Sequence, residues 1–260
     1  MAETSTGGHL LKRKLKGLLR RAGYELFRTR GRYAEDGLLT IHNDHFRSDP
    51  RFRSAYERGI QASAEVDPHF EWRTHVALWA ARTALRVPGD FVECGVNAGF
   101  ISSAIMHGLS WGQTGRRFYL IDTFAGPDLR QFSGAEIQRG RLRIAQDALA
   151  AGAYVTDIER IEQNFAEWSN VEVVRGLVPD VLAGVSFGPV AFLHVDLNCA
   201  LPEREALQFF WNRITPGGIV LLDDYAYYGH DSQTEAVDQF AAAVETEVLS
   251  LPTGQGLIVR

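Results

Sequence analysis

Three aspartates follow apolar runs that have the composition of buried β-strands. Asp196 follows residues 189–195, and Asp223 and Asp224 follow residues 218–222. Because the carboxyl ends of parallel strands meet at one edge of a sheet, we expect these side chains to lie together. Neighbouring carboxylates repel one another unless a cation neutralises them, and Mg²⁺ prefers oxygen ligands. The sequence therefore predicts a site for Mg²⁺ or a similar divalent cation, although each aspartate alone could instead cap a turn.

The second chemical feature is a glycine-containing loop within residues 89–100, which read GDFVECGVNAGF. A short β-forming run ends at Glu93, Gly95 and Gly99 follow, and an apolar helical pattern begins at Ile101. Such a strand, turn and helix N-terminus lets a ligand approach free backbone N–H groups. An ordinary turn between a strand and a helix has the same pattern, so the loop alone does not identify a ligand.

Asp122 indicates which ligand this loop binds. It ends a second predicted strand, residues 117–122, and lies 27 residues beyond Gly95. In a doubly wound sheet such a carboxylate can bind both hydroxyls of a ribose, whereas the alternative is a cap on the next turn. The loop lacks the third glycine of the dinucleotide fingerprint, and Glu93 repels a pyrophosphate but attracts a cationic sulfonium and an amino group. These features favour S-adenosylmethionine over NAD.

These residues require a scaffold that alternates strands with helices, and the periodicity of the chain indicates one. It predicts an α/β fold with a doubly wound, mostly parallel, Rossmann-like sheet and an N-terminal helical extension. Strands are predicted at residues 91–93, 117–122, 171–174, 189–195 and 218–222, with a hairpin at 247–250 and 256–259. Helices are predicted at residues 71–87, 101–109, 135–151, 155–168, 203–214 and 233–244.

Three details of this scaffold bear on the site. Gly176 follows the third strand, where it either leaves room for a purine ring or simply ends the strand. Residues 126–170 form a long connection that is predicted to be a mobile lid over the cofactor. The helix beginning at residue 71 is predicted to bury one face. That face contains Trp72, Val76, Trp79, Ala80 and Thr83.

The charge distribution divides the chain into two parts. Residues 1–70 are predicted to be a basic helical extension or cap, and residues 71–260 a cofactor-binding domain. Residues 1–32 contain nine Lys or Arg and two Glu, although the whole chain has a formal net charge of −5. Leucines on one face make this a basic amphipathic helix that is predicted to contact the acidic body or a second subunit, with an anionic membrane or nucleic acid as alternatives. We expect a homo-oligomer formed through this region.

Composition disfavours several classes of protein. The body lacks a basic and aromatic stripe, which argues against nucleic acid as the main partner. No apolar stretch approaches the roughly 20 residues that cross a bilayer, and the sequence shows no signal peptide. Cys94 and Cys199 are far apart and lack CxxC spacing, so both are predicted to be reduced thiols. The expectation is a cytoplasmic protein.

Four motifs of the chain resemble a known family. They are GDFVECGV at residues 89–96, LIDTFAG at 120–126, HVD at 194–196 and PGGIVLLDDY at 216–225. In content and order they are similar to the macrocin O-methyltransferase family. Its members are metal-dependent class I methyltransferases that methylate sugar hydroxyls of macrolide and aminocoumarin antibiotics.

The resemblance implies roles for individual residues. S-adenosylmethionine would be bound by the loop after the first strand and by the residues around Asp122, and Mg²⁺ by the three aspartates. Together with Gly176, the predicted cofactor-binding residues are Glu93, Gly95, Asn97, Gly99, Asp122, Thr123 and Phe124. The implied metal ligands are Asp196, Asp223 and Asp224. The implied acceptor is a small molecule with a hydroxyl group, expected to belong to a sugar.

The chain departs from the family at the end of the fourth predicted strand. Family members usually read His-x-Asp-x-Asp-x-Tyr there, with the second Asp proposed as the general base, whereas this chain has Asn198 at that position. A neutral amide cannot accept a substrate proton. Either the metal alone lowers the hydroxyl pKa, or His230 or Asp231 accepts the proton, or the chemistry is lost or changed. The candidate catalytic residues are therefore Asp196, Asn198 and His230.

These features together predict a Mg²⁺-dependent O-methyltransferase that moves a methyl group from S-adenosylmethionine to one hydroxyl of a vicinal diol. The protein would mainly position the reactants and stabilise charge. Asn198 favours one alternative, a catalytically silent S-adenosylmethionine-binding protein. A second alternative, a Rossmann-type nucleotide-sugar or NAD enzyme, is disfavoured by Glu93 and by the missing third glycine.

Overall fold

The computed structural model describes residues 6–24 and 32–260 of the chain. The chain divides into two compact units, residues 1–43 and 44–260. The first unit contains helix α1 (Thr6–Arg21) and an antiparallel pair of short strands, β1 (Tyr33–Glu35) and β2 (Leu38–Thr40).

The predicted helical extension, residues 1–70, is helical only in part. Residues 1–5 and 25–31 lie outside the described residues, and β1 and β2 are strands that the sequence did not predict. The assignment of residues 1–70 as a cap stays a prediction.

The second unit is built from a sheet with helices on both faces. Its strands are β3 (Asp90–Cys94), β4 (Phe118–Asp122), β5 (Val171–Arg175), β6 (Val190–Val195), β7 (Ile214–Leu222), β8 (Leu249–Ser250) and β9 (Gly256–Val259). Its helices are α2 (Pro50–Ala62), α3 (Glu71–Ala84), α4 (Phe100–Gly108), α5 (Gly134–Gln138), α6 (Arg141–Ala150), α7 (Ile158–Phe165), α8 (Ala200–Trp211) and α9 (Asp231–Ala243).

The seven strands form one sheet in the order β5-β4-β3-β6-β7-β9-β8. Strands β5, β4, β3, β6 and β7 pair in parallel, whereas β9 pairs antiparallel with β7 and with β8. Successive strands from β3 extend first to one side of the sheet and then, from β6, to the other. The order therefore reverses between β3 and β6, where open α/β sheets bind ligands at the carboxyl ends of their strands.

Both faces of the sheet are buried. On one face Phe91, Phe118 and Phe192 pack around Trp111, and all four side chains are inaccessible to solvent. The other face contains the aliphatic residues of β3 and β6 that alternate with these aromatics, packed under α8 and α9. Parallel strands covered on both sides read as continuous apolar runs. The acidic residues at the strand ends are conspicuous in the sequence for this reason.

The predicted α/β fold is confirmed, and each predicted strand overlaps an observed one. The single helix predicted at residues 135–151 is wrong, because Gly140 adopts a left-handed φ of 82° and separates α5 from α6. The helix predicted at residues 155–168 begins later, since the Asp157 side chain caps α7 by accepting from the Arg160 N–H at 3.2 Å.

The predicted buried face of α3 is only partly right. Ala80 is buried and Trp79 is 51% exposed, and the other three predicted residues are half-buried. The buried positions that the prediction missed include Arg73, Thr74, Ala77 and Leu78. The prediction placed Trp79 inside because its spacing fits one helical face. The structure turns the small residues inward and brings Arg73 to the carboxylates at the sheet edge.

Two further expectations can be compared with the described residues. Among them, no helix is both long enough and apolar enough to span a membrane. Cys94 and Cys199 are buried free thiols, as the sequence predicts.

Candidate active site

The ends of β3, β6 and β7 are joined by backbone hydrogen bonds at one edge of the sheet. The Asp196 N–H donates to the Cys94 carbonyl at 2.8 Å, and the Asp223 N–H donates to the Val195 carbonyl at 3.0 Å. Asp224 follows directly. The fold thus brings Asp196, Asp223 and Asp224 to the edge at which ligands bind in such sheets.

A guanidinium lies among these carboxylates. Nη1 of the buried Arg73 donates to Asp223 Oδ2 at 2.5 Å and to the Asp223 carbonyl at 3.0 Å, and it lies 3.4 Å from Asp224 Oδ1. The guanidinium stacks over the Tyr227 ring, 4.5 Å from its centroid. On the other side, Gln255 Nε2 donates to Asp223 Oδ1 at 2.9 Å. Asp223 is therefore fixed through both carboxylate oxygens.

His194 connects Glu93 to Asp223 inside the protein. Its Nδ1 lies 2.8 Å from Glu93 Oε1, and its Nε2 lies 3.7 Å from Asp223 Oδ1. Burial disfavours the imidazolium, but the contacts with Asp223 and Glu93 outweigh burial and raise the pKa of His194 to about 10. His194 is thus a cation at neutral pH. Burial raises the pKa of Glu93, whose Oε2 is buried and has no hydrogen-bond partner within the described residues.

Negative charge exceeds positive charge at this edge. Burial and the charges of Asp223 and Asp224 raise the pKa of Asp196 well above its ordinary value. Burial likewise raises the pKa of Asp224, against the opposing effects of His230 and Arg73. Burial also opposes ionisation of Asp223, but Arg73 and His194 hold the pKa of Asp223 below its ordinary value. The cluster therefore favours a further cation.

Asn198 supports Asp196. Its Nδ2 donates to Asp196 Oδ1 at 2.9 Å, and its backbone has a left-handed φ of 57°. Asparagine tolerates this conformation better than most residues. Since the amide has no proton affinity to offer a substrate, the structure gives Asn198 a supporting contact with the carboxylate two residues before it.

The other two candidate proton acceptors lie at the start of α9. His230 is buried, with Nδ1 3.3 Å from Asp224 Oδ2, and burial lowers the pKa of His230. Asp231 is exposed in the first turn of the helix. Neither residue lines the cleft described below.

Asp122 joins the loops that follow β3 and β4. Its Oδ2 accepts from the N–H groups of Val96 and Asn97 at 2.7 and 2.9 Å, and its Oδ1 accepts from the Phe124 N–H at 2.7 Å. Phe124 is buried and has a positive φ, so this hydrogen bond fixes a tight turn. The Thr123 hydroxyl lies 3.4 Å from Oδ1 but donates to the Gly126 carbonyl at 2.6 Å. A carboxylate has about four acceptor sites, of which the three backbone bonds use three. One site remains for a ribose hydroxyl, whereas the predicted contact involves two hydroxyls, and that contact stays a prediction.

The three predicted glycines make room for protein atoms. A Cβ at Gly95 would lie 1.7 Å from the Asp196 carbonyl oxygen, and one at Gly99 would lie 2.5 Å from the Phe165 ring. A Cβ at Gly176 would lie 2.6 Å from Val181. Close packing thus explains each glycine, and the predicted contacts of these glycines with a cofactor stay predictions.

Asn97 ties the glycine loop to the connection between α6 and α7. Its Oδ1 accepts from the Val155 N–H at 2.9 Å, and its Nδ2 donates to the Ala153 carbonyl at 3.3 Å. Residues 153–155 belong to the segment predicted to cover the cofactor. The side chain of Asn97 therefore links the floor of the site to that segment.

A cleft opens at this edge of the sheet. Seven of the predicted cofactor-binding or catalytic residues line it, and Gln131, Tyr154 and Pro202 add to its walls. The seven are Gly95, Asn97, Asp122, Thr123, Gly176, Asp196 and Asn198. The other predicted residues do not line it; they are Glu93, Gly99, Phe124, Asp223, Asp224 and His230.

The three aspartates fit a hard divalent cation in their chemistry, since all donors are oxygens and their charge is in excess. The orientation of the three side chains is not that of a metal site. Within the described residues, no group of three His, Cys, Asp or Glu side chains is arranged to hold a metal ion. Arg73 contacts one oxygen of Asp223 and one of Asp224, so these two oxygens face a guanidinium.

Sequence reasoning missed Arg73 and the pairing of His194 with Glu93. A signal for Arg73 was present: Ala77, Ala81 and Ala84 follow it along α3 at helical spacing, and all are fully buried. A stripe of small residues indicates close approach of a helix to the sheet. A long polar side chain at the end of that stripe reaches the site.

Comparisons with known proteins agree with this geometry. A sequence profile of the family described as macrocin O-methyltransferase (TylF) matches residues 77–249. The 8-demethyl-8-(2,3-dimethoxy-alpha-L-rhamnosyl)-tetracenomycin-C 4'-O-methyltransferase of Streptomyces olivaceus is 33% identical over 147 residues, which are 54% of this chain and 54% of the relative. The chain therefore matches about half the length of that curated relative.

Two solved structures share the fold. The O-methyltransferase NovP superposes with a TM-score of 0.60 at 21% identity, over 72% of this chain and 79% of its own. CalS11, a calicheamicin methyltransferase, superposes with a TM-score of 0.52 at 17% identity, over 91% of this chain and 98% of its own. With the family profile covering well over half of its length, the chain belongs to the macrocin O-methyltransferase family.

Proposed function

We propose that the protein transfers a methyl group from S-adenosylmethionine to a hydroxyl of a sugar on a natural product. One observation carries this proposal. The cleft at the switch between β3 and β6 is lined by the Asp122-braced glycine loop on one side and by Asp196 on the other. In a chain of this family, a cofactor on the first side would meet an acceptor at the second.

The cofactor half of the cleft supports S-adenosylmethionine through two features. Asp122 has acceptor capacity for a ribose hydroxyl. The backbone of the glycine loop approaches the cleft at Gly95.

The sugar acceptor is supported by the relative from Streptomyces olivaceus, whose name specifies methylation at the 4' position of a rhamnosyl tetracenomycin. We extend the proposal to a hydroxyl that has a second hydroxyl beside it. Two adjacent oxygens suit an acidic edge that favours a cation, since the cation can be shared between them and the aspartates.

Mg²⁺ belongs to the proposal as the cation that balances this edge. Asp196, Asp223 and Asp224 would hold it, and when bound it would lower the pKa of an acceptor hydroxyl and orient it. The support is the donor chemistry and the raised pKa values of Asp196 and Asp224. The present contacts of Arg73 show what the ion would compete with.

Asp196 is the residue best placed to take the acceptor proton. Three carboxylates line the cleft: Asp122 accepts three backbone hydrogen bonds, and Asp128 is paired with Arg130. Asp196 accepts only from Asn198 among the described residues. Methyl transfer would form an O–CH₃ bond, break the S–CH₃ bond and release S-adenosylhomocysteine and one proton.

The test measures cofactor binding and methyl transfer separately. Calorimetry with S-adenosylhomocysteine, with and without Mg²⁺, should show binding in both conditions. Methylation of rhamnosylated polyketides should require Mg²⁺ and should stop in Asp196→Ala, while that variant still binds S-adenosylhomocysteine. Asp147→Ala, which changes an exposed aspartate of α6, is the matched control and should retain activity.

Two results would contradict the proposal. Full activity in excess EDTA would exclude the metal. Binding of S-adenosylhomocysteine without consumption of methyl donor, over a panel of glycosides and polyols, would favour the catalytically silent binding protein that Asn198 suggests.

A further inference from the structure

Arg73 lies outside residues 77–249, the stretch that matches the family, yet it has the strongest contacts with the acidic cluster. Its side chain is 8% exposed and reaches from α3 across to the end of β7. Both of its carboxylate partners are nearly as buried, with Asp223 9% and Asp224 8% exposed. No sequence pattern assigned a function to this residue.

The charges around Arg73 have a simple balance. Glu93 and His194 form a buried pair of opposite charge and contribute no net charge. When all three aspartates are ionised they contribute three negative charges, and Arg73 contributes one positive charge. The remainder equals the charge of one divalent cation.

A buried carboxylate without a counter-ion is strongly destabilising. In the absence of metal, Arg73 is the group that supplies the counter-ion to Asp223 and Asp224. One oxygen of each aspartate faces the guanidinium, so a cation that binds both aspartates competes with Arg73 for these oxygens.

We propose that Arg73 is a positioning residue that holds Asp223 and Asp224 together in the metal-free protein and competes with the divalent cation for them. The inference rests on the Mg²⁺ site of the proposed function. Arg73 keeps the site assembled while it is empty, and it weakens metal binding in return. Removing Arg73 leaves buried negative charge that a bound divalent cation can balance.

The experiment measures thermal unfolding of the full chain in EDTA and in a fixed excess of Mg²⁺. Arg73→Met should unfold at a lower temperature than wild type in EDTA, and Mg²⁺ should raise its Tm by more than it raises that of wild type. If Mg²⁺ binds about tenfold more tightly to the variant, the difference between the two increments is roughly 4 °C. Calorimetric titration with Mg²⁺ should give the same ranking of Kd values.

Arg58→Met is the matched control. Arg58 also contacts a carboxylate, Glu167 at 2.9 Å, a backbone carbonyl, that of Asn164 at 2.6 Å, and an aromatic ring, that of Trp168 at 5.0 Å. It has no part in the acidic cluster. This variant should lose stability equally in EDTA and in Mg²⁺, as expected for a residue that only packs.

Arg73→Lys provides a second variant in case Arg73→Met does not fold. Lysine keeps the charge but lacks the planar fork that reaches both carboxylates, so its Mg²⁺ increment should lie between those of wild type and Arg73→Met. The inference would be overturned if Mg²⁺ raised the Tm of the Arg73 variants by no more than it raises the Tm of wild type.

The outcomes separate this inference from the proposed function. Equal, positive increments in all proteins would leave the Mg²⁺ site intact and reject the role of Arg73. An increment in Arg73→Met with none in wild type would support the competition and would reject Mg²⁺ as the cofactor of the native protein.

Discussion

Asn198 shows how one residue changes the problem of proton transfer. In the family that the chain resembles, the residue at this position is proposed as a general base. In this chain the Asn198 amide donates to Asp196 Oδ1 instead. The contact leaves Asp196 with one oxygen oriented and the other available to the cleft. A position that can no longer accept a proton can still determine where the neighbouring carboxylate points.

Replacing Asn198 tests this supporting role. Asn198→Gly keeps the left-handed backbone conformation and removes only the side chain. We expect a loss of about ten- to hundredfold in Mg²⁺ affinity, as for other residues that orient metal ligands. Binding of S-adenosylhomocysteine should not change. An unchanged Mg²⁺ affinity would show that Asp196 needs no orientation.

Glu203 is a second residue whose surroundings determine its protonation. It is 2% exposed at the start of α8, and Gln233 Nε2 donates to its Oε1 at 2.7 Å. Burial, with a further effect of the Asp224 charge, raises the pKa of Glu203 to about 8. In the unfolded chain a glutamate has a pKa near its ordinary value of 4.5.

The pH dependence of stability follows from this difference. Between pH 4.5 and 8 the native state binds the Glu203 proton more tightly than the unfolded state does, so the contribution of Glu203 to the free energy of unfolding falls as pH rises through this window. Glu203→Gln removes the titration while keeping the shape. Chemical denaturation at several pH values should show that the stability of Glu203→Gln relative to wild type increases from pH 5 to pH 8, by up to about 1.4 kcal/mol per pH unit.

Glu162→Gln, an exposed change on α7, is the control for that measurement. Its stability should parallel the wild-type curve across the same pH range. Parallel curves for Glu203→Gln as well would mean that Glu203 is ionised in the native protein at pH 5, contrary to the expectation.

Helix α3 shows that a sequence pattern can predict a helix without predicting which of its faces is buried. Its existence and its first residue were predictable from periodicity, but the side that faces the core was not. Apolar periodicity places Trp79 inside, whereas close packing of a helix on a sheet selects alanines and leaves the bulky ring 51% exposed. The contact of Arg73 with Asp223 joins residues 150 positions apart in the sequence, and no local pattern records it.

The glycine loop between β3 and α4 was easier to predict. Strand, two glycines and helix follow one another in the sequence, so local rules suffice. The physical reason for each glycine needed the structure, since Gly95 packs on the backbone of β6 and Gly99 on α7. Those partners lie far away in the chain.

The link between this loop and the segment after α6 leads to a prediction about Asn97. Its two hydrogen bonds to residues 153–155 are worth about 1–3 kcal/mol together. Asn97→Gly keeps the positive φ and removes both bonds. We expect about tenfold weaker binding of S-adenosylhomocysteine and faster amide exchange at Val155. Asn97→Asp keeps the acceptor for the Val155 N–H, so its affinity for S-adenosylhomocysteine should lie between those of Asn97→Gly and wild type. Equal affinities in all three proteins would show that the segment does not close over the ligand.

At the scale of the whole molecule, the mostly parallel sheet and the edge that carries the site were accessible from the alternation of strands and helices. Parallel strands must be joined by crossovers, and their carboxyl ends must meet. The charge asymmetry was equally evident, because nine of the basic residues fall within residues 1–32. Composition does not reveal which surface these basic residues contact.

Helix α1 leads to the prediction that the protein forms a homo-oligomer through contacts of its N-terminal region. Leu15 and Leu18 expose 51% and 66% of their surface on a helix whose other face is basic. A second copy offers both an apolar partner and an acidic surface, and burying each leucine stabilises the assembly by about 1.5–3 kcal/mol. The double change Leu15→Glu and Leu18→Glu should therefore shift the full chain toward the monomer in sedimentation velocity, with unchanged affinity for S-adenosylhomocysteine.

Ile144→Glu, an exposed aliphatic change on α6, should leave the sedimentation coefficient unaltered. A wild-type chain that sediments as a monomer at the same concentration would contradict the prediction and direct attention to anionic vesicles as the partner of the basic helix.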